Sequence, residues 1–556
     1  MRAKINFNFI IYFFFFIYFI IGLLIFRDYG IGIEEHFQRQ NGFYWLDYFL
    51  SNSGFDTFKL ILESKYKEIL QTDPFLPNSS FFNFYGIIFD VPLAFFETLL
   101  NINSSKVYFE MRHFVNFFIF FISSIYFYRI LNNRFNNNLI IFLGVFFFIF
   151  SPRIFGDSFY NNKDILFLSF LTISIYYLFE LFKKRNNKNL ILFCFFASLA
   201  TSTRIMGIYL PFLLIFIYFL EYLSEEFSLK EFFKYTIKIL LLFYFFLLIH
   251  YPYAWDINFF EIKKWFKTFF YSMDLKILFN DEYYRIKYLP RSYLPVWMFI
   301  STPIIITILF LLGFFLCCKK IYERILNIDI KKINKKGDLW HSLNEKKDLF
   351  ILVSFFSFFS YAIFFNVAML SGWRHFYFLH IFIIYLSTIG ANHFFIYLKK
   401  RLSLKAIYLI SFIFILSILK DNYKFHPFQS LYFINILNFN IADKFQVDAP
   451  NLSRVDALKF IINKERDNKG KIYIANSSWN PMHNGKDMLN QADQKNLVFV
   501  GQDYSQANYI FTNYIYKSDK RYSNKNEIPK NFKKIEELKI GNVLIYTLYK
   551  AENKDN

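Results

Sequence analysis

The sequence predicts a polytopic α-helical membrane protein of about eleven transmembrane helices, followed by a small external α/β domain. Three observations carry this. The 556-residue chain is only 19% charged, against the ~25% expected of a soluble domain. Its apolar residues gather in long uncharged runs, close to the ~20 residues needed to span hydrocarbon. The composition then turns polar after about residue 420. A soluble cytoplasmic enzyme and a disordered chain are both excluded.

The first run, 5–26, lies between Lys4 and Arg27 with no internal charge. It is too long for a signal peptide and has no small-residue cleavage site, so it is expected to stay as a first span. Further spans are expected over 114–130, 139–152, 165–181, 190–203, 208–220, 236–250, 294–318, 349–366, 376–390 and 406–419. The short runs near 139–152 and 190–220 are expected to be broken helices. Residues 1–419 thus form a membrane domain with a long first external loop, 27–112. Residues 420–556 form a soluble tail with β-like runs at 471–475, 497–500, 508–512 and 543–549, and an amphipathic helix at 453–464.

A net charge of +20 would suit a nucleic-acid partner, but its placement decides against one. The dense clusters are Lys183, Lys184, Arg185 and Lys188, then 319–347, then Lys399, Lys400, Arg401 and Lys405. Each is a connector between apolar runs, the pattern of positive-inside topology. With the N-terminus cytoplasmic, every such connector falls on the cytoplasmic side, and the tail falls outside. Cys194, Cys317 and Cys318 offer neither a disulfide framework nor a zinc site.

The external connectors carry the candidate chemistry. The first opens with Glu34 and Glu35, followed by His36. The second runs from Ser151 to Asp164 and includes Arg153, Asp157, Asn161, Asn162 and Lys163. Asp164 opens the next span, where its carboxylate could cap the free amides of a helix N-terminus. Arg204, Arg291, and Arg374 with His375 lie at the same depth. One arginine alone reads as an interfacial anchor. Several carboxylates and arginines on one face describe a pocket for an anionic lipid headgroup. With 84 Phe and 41 Tyr in the chain, no single aromatic can be assigned to stacking on a sugar.

In this arrangement the sequence resembles the GT-C superfamily of membrane glycosyltransferases, particularly the protein-mannosyltransferase-like and aminoarabinose-transferase-like group. Gly32-Ile33-Glu34-Glu35 is similar to that family's acidic pair, and Asn161-Asn162-Lys163-Asp164 to its second-loop aspartate segment. Tyr288-Leu289-Pro290, Tyr293-Leu294-Pro295-Val296-Trp297 and Gly372-Trp373-Arg374-His375 also look like family segments. Two positions depart from the family pattern: Glu34 stands where Asp is usual, and Asp157 where His is more common. The resemblance implies a GT-C-like fold in a bacterial inner membrane, with a periplasmic tail. It implies transfer of a sugar from a polyprenyl-phosphate donor to a lipid, glycan or protein acceptor on the external face. Glu34 and Glu35 are then the catalytic candidates. Lys163, Arg204, Arg374 and His375 are the candidates for the donor phosphate, and Glu35, Asp157 and Asp164 for a divalent metal cation. The competing readings are a membrane transporter, which would need charge near the midplane or repeated halves, and a non-catalytic relative of the same fold.

Overall fold

The computed structural model describes residues 7–51, 54, 59–65, 85–223, 227–255, 275–326, 340–365, 367–435, 437–467, 470–516 and 527–552. Expectations for the middle of the long first loop and for residues 327–339 of the 319–348 connector lie outside these residues.

The bundle opens with α1 (Phe7–Ile25), an all-apolar helix that leaves Phe9, Tyr12, Phe13 and Phe16 on its outer surface. The first loop contributes two helices, α2 (Glu35–Ser51) and α3 (Asp90–Leu99). The next span, α4 (Ser105–Asn132), starts nine residues before the expected boundary at 114. The added turns carry Glu110, Arg112 and His113, and charge is costly inside a helix bundle unless it is paired. Each is in fact partnered: Glu110 with Arg27, Arg112 near Asp90 and Glu97, and His113 with Glu35.

Both broken runs are seen. α5 (Asn138–Phe150) ends at an extended Ser151, and α6 (Pro152–Tyr160) leaves it at 54°. Proline is favourable at the first position of a helix, where its missing N–H has no partner to lose. α7 (Asp164–Lys183) and α8 (Asn187–Thr203) follow. The chain breaks again at an extended Arg204 before α9 (Tyr209–Leu223) and α10 (Leu229–His250). The expected single span over 294–318 is two helices, α11 (Tyr293–Ile300) and α12 (Ile304–Leu326), parted at Ser301–Pro303. α13 (Leu343–Phe364), α14 (His380–Lys399) and α15 (Leu404–Phe425) complete the bundle.

Among the described residues, eight helical segments are long and apolar enough to cross a membrane, or nine if the bent α5–α6 pair is one span. α8 has 17 residues and α15 ends in Lys420, Asp421 and Lys424. With these two the bundle is consistent with the eleven spans expected. α12 and α14 touch through Gly313 and Gly390, where a Cβ would lie within 2.0 Å of the opposing backbone carbonyl. This is the small-residue contact by which helices approach in lipid, where hydrophobicity alone drives no association.

The charges sort to opposite ends. At one end Arg134 grips Asp348 through two hydrogen bonds of 2.9 and 2.7 Å, and Glu221 takes Arg185 at 2.7 Å together with Lys346. At the other end lie the acidic loop, the α6–α7 connector and the tail. The tail carries a five-stranded sheet of order β4-β3-β5-β7-β6, packed with α16 (Ser453–Lys464). Its strands are β3 (Ile472–Asn476), β4 (Leu497–Gly501), β5 (Tyr509–Thr512), β6 (Phe532–Ile540) and β7 (Val543–Ala551). β3, β4 and β5 are parallel, and β7 is antiparallel to both β5 and β6. Strand β6 escaped the sequence reading because it is a charged edge strand, with Lys533, Lys534, Glu536 and Glu537 along it. So did the hairpin β1 (Lys276–Phe279) and β2 (Glu282–Arg285) before α11.

The basic connectors should face the cytoplasm. On a background lacking the three native thiols, a cysteine at exposed Ser505 should react with an impermeant maleimide in intact spheroplasts. One at exposed Lys319 should react only after lysis. The opposite pattern would invert the topology.

Candidate active site

The acidic loop has no secondary structure of its own, and the tail holds it in place. Tyr29 donates to Gln429 at 3.0 Å, the Ile33 amide donates to the Pro450 carbonyl at 3.1 Å, and buried Arg454 donates to the Ile31 carbonyl at 3.0 Å. His36 pairs with Asp487 at 2.8 Å. At Gly30 the Leu452 carbonyl lies where a Cβ would be, 2.4 Å away, so only glycine fits. The 448–453 turn is itself fixed by Asp448, which accepts from the Leu452 and Ser453 amides at 2.8 and 3.1 Å.

Held this way, Glu34 and Glu35 point in different directions. Glu34 accepts a hydrogen bond from Arg374 and lies 3.5 Å from the Lys163 ammonium. Burial would raise its pKa, but Arg374, then Lys163 and Arg204, outweigh burial and hold the carboxyl well below the usual carboxylate range. Glu35 is the first residue of α2 and turns inward, only 3% exposed. It accepts from the Gly32 amide at 2.6 Å and faces His113 Nε2 at 3.0 Å.

The second connector supplies the rest. Asn161 caps the start of α7, its Oδ1 accepting from the Asp164 amide at 3.0 Å. The Asp164 carboxylate is thereby left for Arg204, whose Nε and Nη2 both reach Oδ1 at 3.0 and 2.5 Å. The Nδ2 of Asn161 bridges Asp157 and Asp164 at 3.3 and 3.1 Å, and Tyr160 donates to the other oxygen of Asp157. Lys163 lies 3.8 Å above the Tyr85 ring. Arg374 and partly exposed His375 open a 3-10 turn reached through Ser371 and Gly372, both left-handed at φ +56° and +71°.

The fold therefore gathers Glu34, Lys163, Asp164, Arg204 and Arg374 into one cluster, with His375 beside it. Asp157 and Asp164 meet at Asn161, whereas Glu35 turns to Gly32 and His113. Among the described residues no three His, Cys, Asp or Glu side chains converge as an ion-binding set. Beyond the Asn161 amide they share, Asp157 is bound by Tyr160 and Asp164 by Arg204.

A narrow pocket adjoins the cluster. Arg153, Asp157, Arg374 and Tyr377 line it from the bundle side, and Ser430, Val447 and Pro450 from the tail. The sequence reading quoted Arg153 without selecting it and assigned no tail residue to the site. Arg153 stood out only as a charge at a span end, and the tail reaches the site across more than 400 residues of chain.

Residues 97–250 match the dolichyl-phosphate-mannose-protein mannosyltransferase family. The matched stretch spans α4 to α10 and contains Asp157, Lys163, Asp164 and Arg204, but neither Glu34 nor Arg374. The GT-C resemblance read from the sequence is met over this part of the chain, which is a multi-pass membrane protein similar to glycosyltransferases of that type. A search of curated proteins gives no match.

The geometry makes Glu35 a structural tie between the acidic loop and α4. Glu35→Gln keeps the size but places an amide where Gly32 and His113 need an acceptor. Lost hydrogen bonds to a charged group cost about 1.5–3 kcal/mol. The variant should melt at a lower temperature in detergent, whereas a Tm equal to wild type would remove this role.

Proposed function

We propose that the chain moves a sugar from a polyprenyl-phosphate-linked donor to an acceptor at the external face of a bacterial inner membrane. In this reading the N-terminus is cytoplasmic, residues 1–419 form the catalytic membrane domain, and the tail from 420 is periplasmic and supports binding. The acceptor is a lipid, a glycan or a protein. The observation that supports this best is Glu34, a partly exposed carboxylate held between Arg374 and Lys163 at a membrane-edge cluster.

The chemistry follows from charge. The acceptor hydroxyl or amine attacks the anomeric carbon, the bond from that carbon to the phosphate oxygen breaks, and the proton passes to Glu34. The donor phosphate changes from a singly charged diester to a doubly charged monoester. Arg374, Lys163 and Arg204 are the groups that would stabilise the added charge. Without donor, two of these cations sit on Glu34 and make it a weak base. A phosphate that draws them away raises the proton affinity of Glu34 as the reaction needs it. Charge neutralisation is assigned to these side chains. The residues expected to hold a divalent cation do not form a common ligand set, and no step is routed through one.

Glu34→Gln should lower kcat by roughly 10²–10⁴-fold with donor binding retained. Turnover near wild type would sink the assignment, and loss of turnover in a well-folded Glu35→Gln would move the base by one residue. A pH profile adds a sign. The acid limb of kcat/KM reports the free enzyme, with Glu34 pinned by cations, and that of kcat reports the complex. The kcat limb should therefore lie at higher pH, and coincident limbs would contradict the exchange of partners. Chelation by EDTA should leave turnover unchanged. Loss that magnesium restores would show that an ion shares the phosphate.

A further inference from the structure

Arg153 is a buried arginine with an unused donor. It sits at the start of α6, 5% exposed, with its guanidinium 5.2 Å from the Trp297 ring and 4.7 Å from that of Phe433. Its Nε donates to the Tyr432 carbonyl at 2.9 Å, while Nη2 is buried with no hydrogen-bond partner. Among the described residues it forms no ion pair, unlike Lys163, Arg204 and Arg374. Arg374 also leaves its Nε buried and unpartnered, and both arginines line the narrow pocket.

Buried charges are costly unless paired. Four cations, Arg153, Lys163, Arg204 and Arg374, meet three carboxylates, Glu34, Asp157 and Asp164, which leaves a surplus of one positive charge. Asp157 shares the pocket wall, but its two oxygens are taken by Tyr160 and Asn161. Asp157 thus acts on Arg153 through space only, and the Arg153 Nη2 stays open to an anion. A phosphodiester carries one negative charge and accepting oxygens that suit free guanidinium N–H groups.

We propose that the phosphate of the lipid-linked donor binds in the pocket between Arg153 and Arg374, closed on one side by the 446–450 segment of the tail. The assignment rests on the glycosyltransferase reading above. Arg153 is then a donor-binding residue, and Arg374 is the link that leaves Glu34 when the phosphate arrives. The tail, through Val447 and Pro450, supplies shape and no charge.

The test uses full-length protein in phosphatidylcholine nanodiscs, with polyprenyl phosphate as the probe and phosphatidylglycerol as a competitor. Arg153→Gln should weaken binding of the probe by roughly ten- to a hundredfold, and Arg153→Lys by less. Ala449→Trp keeps every basic residue but fills the pocket, and should weaken binding comparably at an unchanged melting temperature. Both changes should act on the donor KM more than on kcat, in contrast to Glu34→Gln. Wild-type affinity in Arg153→Gln and Ala449→Trp would overturn the pocket while leaving the glycosyltransferase reading in place. Equal displacement of the probe by phosphatidylglycerol would make this a general lipid-phosphate site and remove the donor assignment. Failure of the wild-type protein to bind polyprenyl phosphate at all would instead count against the enzymatic reading itself.

Discussion

Neutralisation of charge at one end of an apolar bundle is the constraint on which this structure rests. Removing one partner of a buried ion pair costs about 3–5 kcal/mol, whereas an exposed pair contributes about 0–1 kcal/mol. Surface contacts such as Lys319 with Glu323 are therefore minor. The positions of the acidic loop, the α6–α7 connector and the turn at Arg374 are mutually dependent, because each brings a charge that the others must balance. The breaks at Ser151 and Arg204 follow from the same need. They end two buried helices beside the α6–α7 connector and at Arg204, which reaches Asp164.

The cluster is arranged for exchange of partners. A carboxylate hydrogen-bonded to a guanidinium is stable but unreactive, and an arriving phosphate competes for the same cations. In the proposed mechanism Glu34 holds two of the site's cations in the absence of donor, and its release couples binding to reactivity. The arrangement needs no helix to move, only the ends of long basic side chains. Arg374 is placed for this by a turn with two successive left-handed residues, a backbone that holds the arginine's Cα while its head remains able to reorient.

Much of this was legible in the sequence, for a simple reason. In a chain so poor in charge, polar residues at the ends of apolar runs are conspicuous, and Glu34, Lys163, Asp164, Arg204 and Arg374 all stood out. What was not legible depends on direction and on distant contacts. Glu34 and Glu35 are neighbours in sequence, but the start of α2 sends one towards Arg374 and the other towards His113. Asp157 and Asp164 share a connector and the Asn161 amide, yet one is bound further by Tyr160 and the other by Arg204. Arg153 gains its meaning only from the Trp297 and Phe433 rings that bury it and from the tail residues facing it. The start of α4 was misplaced because charges that look exposed in sequence are paired in space.

The clamp on the acidic loop also has a dimension in time. Arg454 and Ile31 are separated by 423 residues. At ribosomal rates of about 5–20 residues per second, the first loop leaves the ribosome roughly 20 to 80 s before its clamp is made. Early in that interval Glu34 lacks the cations of later spans, and throughout it lacks the turn that shapes its backbone. The earliest part of the site to be synthesised is thus among the last to take its form.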